Sequence, residues 1–251
     1  MMDGAGAAMP ISRRERPAKA ALTRDVIVET ALRVIEAESV QAVTMRRIAQ
    51  ELDTGPASLY VYVQNRQHLL ELAYDQVVAG VRPPTEGDWR VRLTALLEAS
   101  VQAITRYPGL ALSSLATVPT GPNAIRMSET VMGLLKEGGL SDSAIAWAVD
   151  LLGQLVTTRA IETNLLTQRA GSADVASLFE QVDSAFAAQP PSEFPLISQL
   201  RPLLLAGNAE ERLHWFIQVV LNGLATTPPP SMATPKSWEH CAVIEGEPSE
   251  P

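Results

Sequence analysis

Residues 44–70, TMRRIAQELDTGPASLYVYVQNRQHLL, constrain the fold more than any other stretch of the chain. Met45, Ile48, Ala49 and Leu52 recur at i, i+3, i+4 and i+7, which puts them on one face of a short helix. Thr44 stands before that face, where its hydroxyl can accept a bond from a free backbone N–H. Asp53, Thr54 and Gly55 interrupt the pattern, and Pro56 sits where a new helix tolerates a missing N–H. Leu59 and Val63 give this second helix, about two turns long, a narrow apolar side. Asn65 is placed to cap a third helix. Two helices joined by so short a turn form a helix-turn-helix. By spacing alone, an αα-corner in any helical protein fits equally well.

The second helix leaves Pro56, Ala57, Ser58, Tyr60, Val61 and Tyr62 with little core to enter. Small, hydroxyl-bearing and aromatic groups of this kind suit base edges and phosphates in a major groove. Arg46 can take guanine O6/N7 or a phosphate. Thr44 can bond a phosphate as well as cap, and Arg66 stands where a helix N-terminus meets a backbone. Tyr60 fits the core equally well.

The run T-x-R-x-I-A-x-x-L, a turn, a Leu-Tyr pair and Asn-Arg before Leu-Leu resembles the TetR family of bacterial transcriptional regulators over roughly residues 23–75. That resemblance implies an all-α fold: an N-terminal three-helix, helix-turn-helix DNA-binding domain and a larger C-terminal helical domain for ligand binding and dimerisation. It also implies release from a palindromic double-stranded DNA operator by a small-molecule effector. The turn departs from the family. Leu52-Asp53-Thr54 replaces Leu-Gly-Val, although Asp tolerates positive φ better than most residues. Val61 and Tyr62 replace an aromatic and a histidine.

The chain has 251 residues, 46% hydrophobic and 19% charged, enough to bury a substantial core. No apolar run approaches the roughly 18–20 residues that a membrane helix needs, and the basic residues near the N-terminus follow the weakly apolar stretch rather than precede it. The single Cys241 gives no disulfide framework, so the expected compartment is the cytoplasm with no membrane partner. A net charge of −8 argues against nonspecific coating of nucleic acid. Residues 1–66 carry nine Lys/Arg against eight Asp/Glu, so the acidity lies in the body.

Four segments follow in order. Residues 1–22 are an Ala/Gly/Pro-rich arm; Arg13, Arg14, Arg16 and Lys19 either solvate it or follow a phosphate backbone. Residues 23–80 are the DNA-reading module, opened by Thr23 as cap and Asp25 in the first turn, with Ile27, Ala31, Val34, Ile35, Val40 and Val43 in its core. Residues 81–226 are the helical body, entered through a linker at 81–88. Residues 227–251 are a Pro-rich acidic tail expected to be disordered. Within the body, helices start at Trp89, Pro122 (with Ile125, Val131, Leu134 and Leu135 along it) and Ser141, with Leu140 and Ile145 as a staple across the last cap. A weaker helix covers 173–188, and Asn208 with Glu211 forms a capping box for the final one.

Helices 141–166 and 209–225 are apolar over more than one narrow face, so each buries its excess inside the monomer or against a second copy. Resemblance to the family implies the second, a homodimer through these two helices. Met127, Trp147, Gln154 and Thr158 are large, soft or polar groups on otherwise apolar helices, candidates for an effector pocket and equally for plain core. His68, His214 and His240 show no metal-ligand spacing, and no Walker loop, GxGxxG or CxxC occurs. No catalytic residue, metal or cofactor is expected. A helical ligand-binding protein that does not bind DNA remains the alternative.

Overall fold

The computed structural model describes residues 21–114, 120–170 and 175–229, so the expected arm and nearly all of the tail lie outside the described residues. No strand occurs among the described residues, and the fold is all-α. The N-terminal unit begins with α1 (Arg24–Ala37), whose Val26 N–H donates to Thr23 Oγ1 at 3.2 Å. One 3-10 turn, Val40–Ala42, leads to α2 (Met45–Glu51), capped by Thr44 through Arg47 N–H at 3.0 Å. Asp53 takes φ +48° in the turn that follows. The missing family glycine is therefore replaced by a residue able to occupy the left-handed region.

Next come α3 (Pro56–Leu59) and α4 (Arg66–Ala79). α3 is one turn, half the expected length. Tyr60 is its C-cap, and the N–H groups of Tyr62 and Val63 both return to the Leu59 carbonyl. Leu59 and Val63 are buried, as the apolar pattern requires, alongside Ile27, Ile35 and Ile48.

The body contains α5 (Trp89–Thr105), α6 (Leu110–Ser114), α7 (Pro122–Glu137), α8 (Asp142–Ala170), α9 (Val175–Ala187), α10 (Pro195–Leu204) and α11 (Ala209–Thr226). Asp88 caps α5 through the N–H groups of Arg90 and Val91. The expected staple residues Leu140 and Ile145 are both buried, and Ser141 Oγ accepts from Ala144 N–H. Both halves of the Asn208–Glu211 capping box are formed. α5 is the axis of the body: Leu93, Leu96, Leu97, Val101 and Ile104 are buried, with α4, α7, α8 and α11 around it. Ala148 and Ala160 of α8 are fully buried, and such small residues let two helix backbones approach closely. The ring of Trp89 packs so tightly on Gly138, the C-cap of α7, that a Cβ there would meet it at 2.5 Å.

Two expectations of burial change. Ile125 on α7 is 58% exposed, because the buried side of that helix runs through Ala124, Val131, Leu134 and Leu135. α8 proves longer and more apolar than the bare sequence suggested. Asp142–Arg169 has the length of a membrane span, and an 18-residue window within it reaches mean hydropathy 1.2, with one third of that window buried. Its exposed stripe holds Trp147, Leu151 and Leu165, and α11 adds Trp215 and Val219. The hydrophobic core is one continuous cluster from Ile27 to Leu221, and α4 packs on α1 on one side and on α5, α6 and α7 on the other.

Candidate nucleic-acid interface and effector cavity

Leu59, fully buried, and Val63 anchor the α3 segment, so its other side chains point away from the core. Pro56, Ala57, Ser58 and Tyr60 are exposed, and Val61 is 79% exposed. Tyr62 differs: it is half-buried against the core cluster, which keeps its ring close to the protein. The α3 surface is thus a small apolar and hydroxyl-bearing knob without charge of its own.

Two adjacent arginines on α2 have opposite fates. Arg47 is held by Glu38 at 3.0 Å and Glu51 at 2.9 Å. Arg46 is exposed and makes no hydrogen bond or ion pair with the described residues, leaving its planar fork of donors for an external acceptor. Thr44 caps α2 as an acceptor, so its hydroxyl proton stays available to a phosphate oxygen. Arg66 sits elsewhere than expected. Its Nε donates to the Val43 carbonyl at 2.6 Å and one Nη to the Val40 carbonyl at 2.7 Å. Those bonds tie the start of α4 to the 3-10 turn, which makes Arg66 a clamp inside the unit rather than a cation waiting for DNA. Nothing in an Asn-Arg pair distinguishes these two uses in the sequence.

Inside the body, a cavity of about 780 Å³ lies among α4, α5, α7 and α8. Leu96, Leu97, Ile104, Val131, Leu152 and Val156 give it an apolar wall, and Met127, Gln154 and Thr158 are among the residues lining it. Trp147 stands at helical spacing with Gln154 and Thr158, but it is not among the lining residues and its indole is 52% exposed.

The sequence reading missed two neighbours on α4. Tyr74 reaches the cavity beside Thr157 of α8; burial raises the phenol above its ordinary value, and the Thr157 hydroxyl works the other way. Asp75 is 7% exposed and holds the start of α7. Its Oδ1 accepts from the N–H groups of Asn123 and Ala124 at 3.0 and 2.9 Å, and Oδ2 accepts from Asn123 Nδ2 at 2.7 Å. A carboxylate at a helix N-terminus is favoured by the free N–H groups and the dipole together. Gly121 permits this join, because a Cβ there would lie 2.1 Å from Asp75 Oδ1. The one available signal was a carboxylate set in the apolar run of α4. Through Tyr74 and Asp75, α4 touches both the cavity and the helix lining it.

His68 and His214, the two histidines among the described residues, have protein partners. His68 Nδ1 takes the Gln64 N–H at 3.1 Å, and His214 Nδ1 lies 2.9 Å from Glu98 Oε1. Among the described residues no group of His, Cys, Asp and Glu is arranged to hold a metal ion.

Residues 27–73 match the bacterial regulatory proteins of the tetR family, and residues 83–227 match the tetracyclin repressor-like C-terminal domain. The HTH-type transcriptional repressor DrrR1 of Streptomyces coeruleorubidus is 34% identical over 143 residues, 56% of this chain and 53% of DrrR1. An HTH-type transcriptional regulator of Saccharopolyspora erythraea is 32% identical over 123 residues, 48% of this chain and 52% of its own. The chain spans about half the length of these curated relatives. Among solved structures, ActR from Streptomyces coelicolor in complex with actinorhodin is similar with TM-score 0.76 and 32% identity, covering 85% of this chain and 100% of ActR. Apo ActR is similar with TM-score 0.71 and 34% identity, over 82% and 97%.

Proposed function

The chain belongs to the TetR family of bacterial regulatory proteins, and on that premise we propose that it is a cytoplasmic transcriptional repressor, not an enzyme, released from a palindromic operator by a small, largely apolar effector. The observation that carries this reading is the outward-facing α3 knob beside an Arg46 that has no partner among the described residues, joined through α4 to a cavity of about 780 Å³. ActR, its structural relative, has been crystallised with actinorhodin and with (S)-DNPA, so a cavity of this fold can hold a small molecule.

We assign base contact to Pro56, Ala57, Ser58 and Val61, with methyl-bearing groups against thymine the expected mode. Tyr60 and Thr44 would meet phosphate, and Arg46 either. Residues 23–80 would serve as the reading unit and 81–226 as the effector and dimer unit, although the two share one core. The exposed apolar stripes of α8 and α11 favour pairing with the same stripes of a second copy. A two-fold dimer would present its reading helices about 34–36 Å apart, one turn of B-DNA.

A gel shift against the DNA flanking the protein's own gene tests the reading. A specific complex that dissolves when an extract from the producing cell is added is the expected result. No complex on any flanking palindrome would leave a helical ligand-binding protein without DNA. Arg46→Ala should weaken the specific complex by about 1–3 kcal/mol and relax one operator position if the guanidinium reads a base. If it touches only phosphate, affinity should fall evenly across sequences and the salt slope should flatten, which a salt titration measures.

A further inference from the structure

We infer that Asp75 is a positioning residue: it makes α4 and the start of α7 move as one body, so that filling the cavity displaces α3 through this junction. This deepens the reading of the chain as an effector-responsive regulator and rests on it. Both ends of the path lie on α4. At its start, Arg66 is bonded to the Val40 and Val43 carbonyls, and Leu69 is fully buried in the core that also holds Leu59 of α3. Further along, Asp75 is bonded to α7.

That bond differs in kind from the packing around it. Leu70 of α4 lines a recess with Leu110 of α6, and Val78 lines the cavity with Leu96 of α5. Apolar contacts of this sort are non-directional, so such faces can slide. Asp75 instead accepts from two backbone N–H groups and one side-chain amide of α7. Pulled away, the buried carboxylate would be left without partners, far costlier than a shift between apolar faces. Asn123 is oriented from its other side, because its Oδ1 accepts from Arg126 Nη1 at 2.8 Å. At Gly121, the N-cap of α7, the fit leaves no room even for a methyl group. The junction is stiff where its surroundings are soft.

The cavity reaches the same atoms. Ala124, whose N–H donates to Asp75, lines the cavity, as do Met127 and Ser128 further along α7. Tyr74, the chain neighbour of Asp75, lines it from α4. A molecule that displaces the α7 wall therefore carries Asp75 with it, and α4 shifts beneath α3.

The test needs no ligand. Met127→Trp fills the cavity from α7 in place of an effector, and hydrogen exchange of residues 56–70 is followed in the full-length protein without DNA. With Asp75 present, the filler should change exchange there by about tenfold, within the range for coupled sites. In Asp75→Asn, whose amide turns an N–H towards another donor whichever way it faces, the effect should fall below about twofold. Combining Asp75→Asn with Asn123→Asp exchanges donor and acceptor, rebuilds the bond and should restore the full effect. A merely structural Asp75 would lower the melting temperature on substitution yet leave the filler's effect intact, and that result overturns the inference. So does a filler without effect beside Asp75, or an exchanged pair that restores nothing. Circular dichroism checks the fold of each variant. Ser128→Phe replaces a filler that does not fold, and Asn123→Ala, which keeps the carboxylate, replaces an unfolded Asp75→Asn. The operator gel shift uses none of these variants. Its failure strikes the regulator reading, whereas exchange in the DNA-free protein strikes this one.

Discussion

Replacing Trp215 by Glu is expected to leave a folded monomer that no longer holds its operator. The indole is 62% exposed in the isolated chain, so the substitution leaves the monomer's core untouched. In a two-fold interface each side chain is present twice, and two carboxylates would be drawn out of water onto the apolar stripes of α8 and α11. Desolvating an unpaired charge costs several kcal/mol, and the two-fold axis applies that cost twice. With the pair gone, each reading unit binds its half-site alone. The loss of linked binding should weaken the palindrome complex by about a hundredfold to ten-thousandfold. Sedimentation with circular dichroism checks the first part, and a gel shift on the intact palindrome and a half-site checks the second. A variant that remains dimeric would move the interface away from α11.

The second large effect is Leu59→Ala. α3 is a single turn, and Leu59 is its one buried side chain, packed with Val63 among the residues of α1, α2 and α4. Deleting a fully buried leucine costs about 2–5 kcal/mol, from lost transfer energy and the cavity left behind. The reading segment has no hydrogen-bonded length with which to resist. Chemical denaturation should therefore show a lower midpoint with an unchanged slope, and the operator complex should be lost even where the protein is still folded. Val61→Ala, at a position 79% exposed, is the matched control. It should keep the stability and change only affinity.

Helix ends were the most legible features of the chain, because each is set by a few neighbouring atoms. Thr23, Thr44, Asn65 and Asn208 all cap where the sequence places them. Apolar periodicity likewise located the buried sides of α1, α2 and α11, apart from half-burial at Met45, Leu52, Phe216, Val220 and Leu224. What the pattern could not resolve is which of two apolar stripes on one helix turns inward. Trp147 and Ile125 both belong to apolar helices, and both face out, because the choice is made by partners distant in sequence. The same limit hid Asp75. A carboxylate in the middle of α4 looks like a solvated side chain until α7, some 48 residues later, brings its free N–H groups to it. Arg66 went astray for a related reason: its acceptors, Val40 and Val43, come from a turn whose geometry no local rule announces.

The uninterrupted core has a thermodynamic corollary. α4 shares buried surface with the reading unit and with the body, so neither half has a private hydrophobic interior to fall back on. Heating should melt the two together, in one calorimetric peak rather than a pair. A small molecule lodged beside Tyr74 would then raise the melting point of the reading segment along with everything else, although it never touches it.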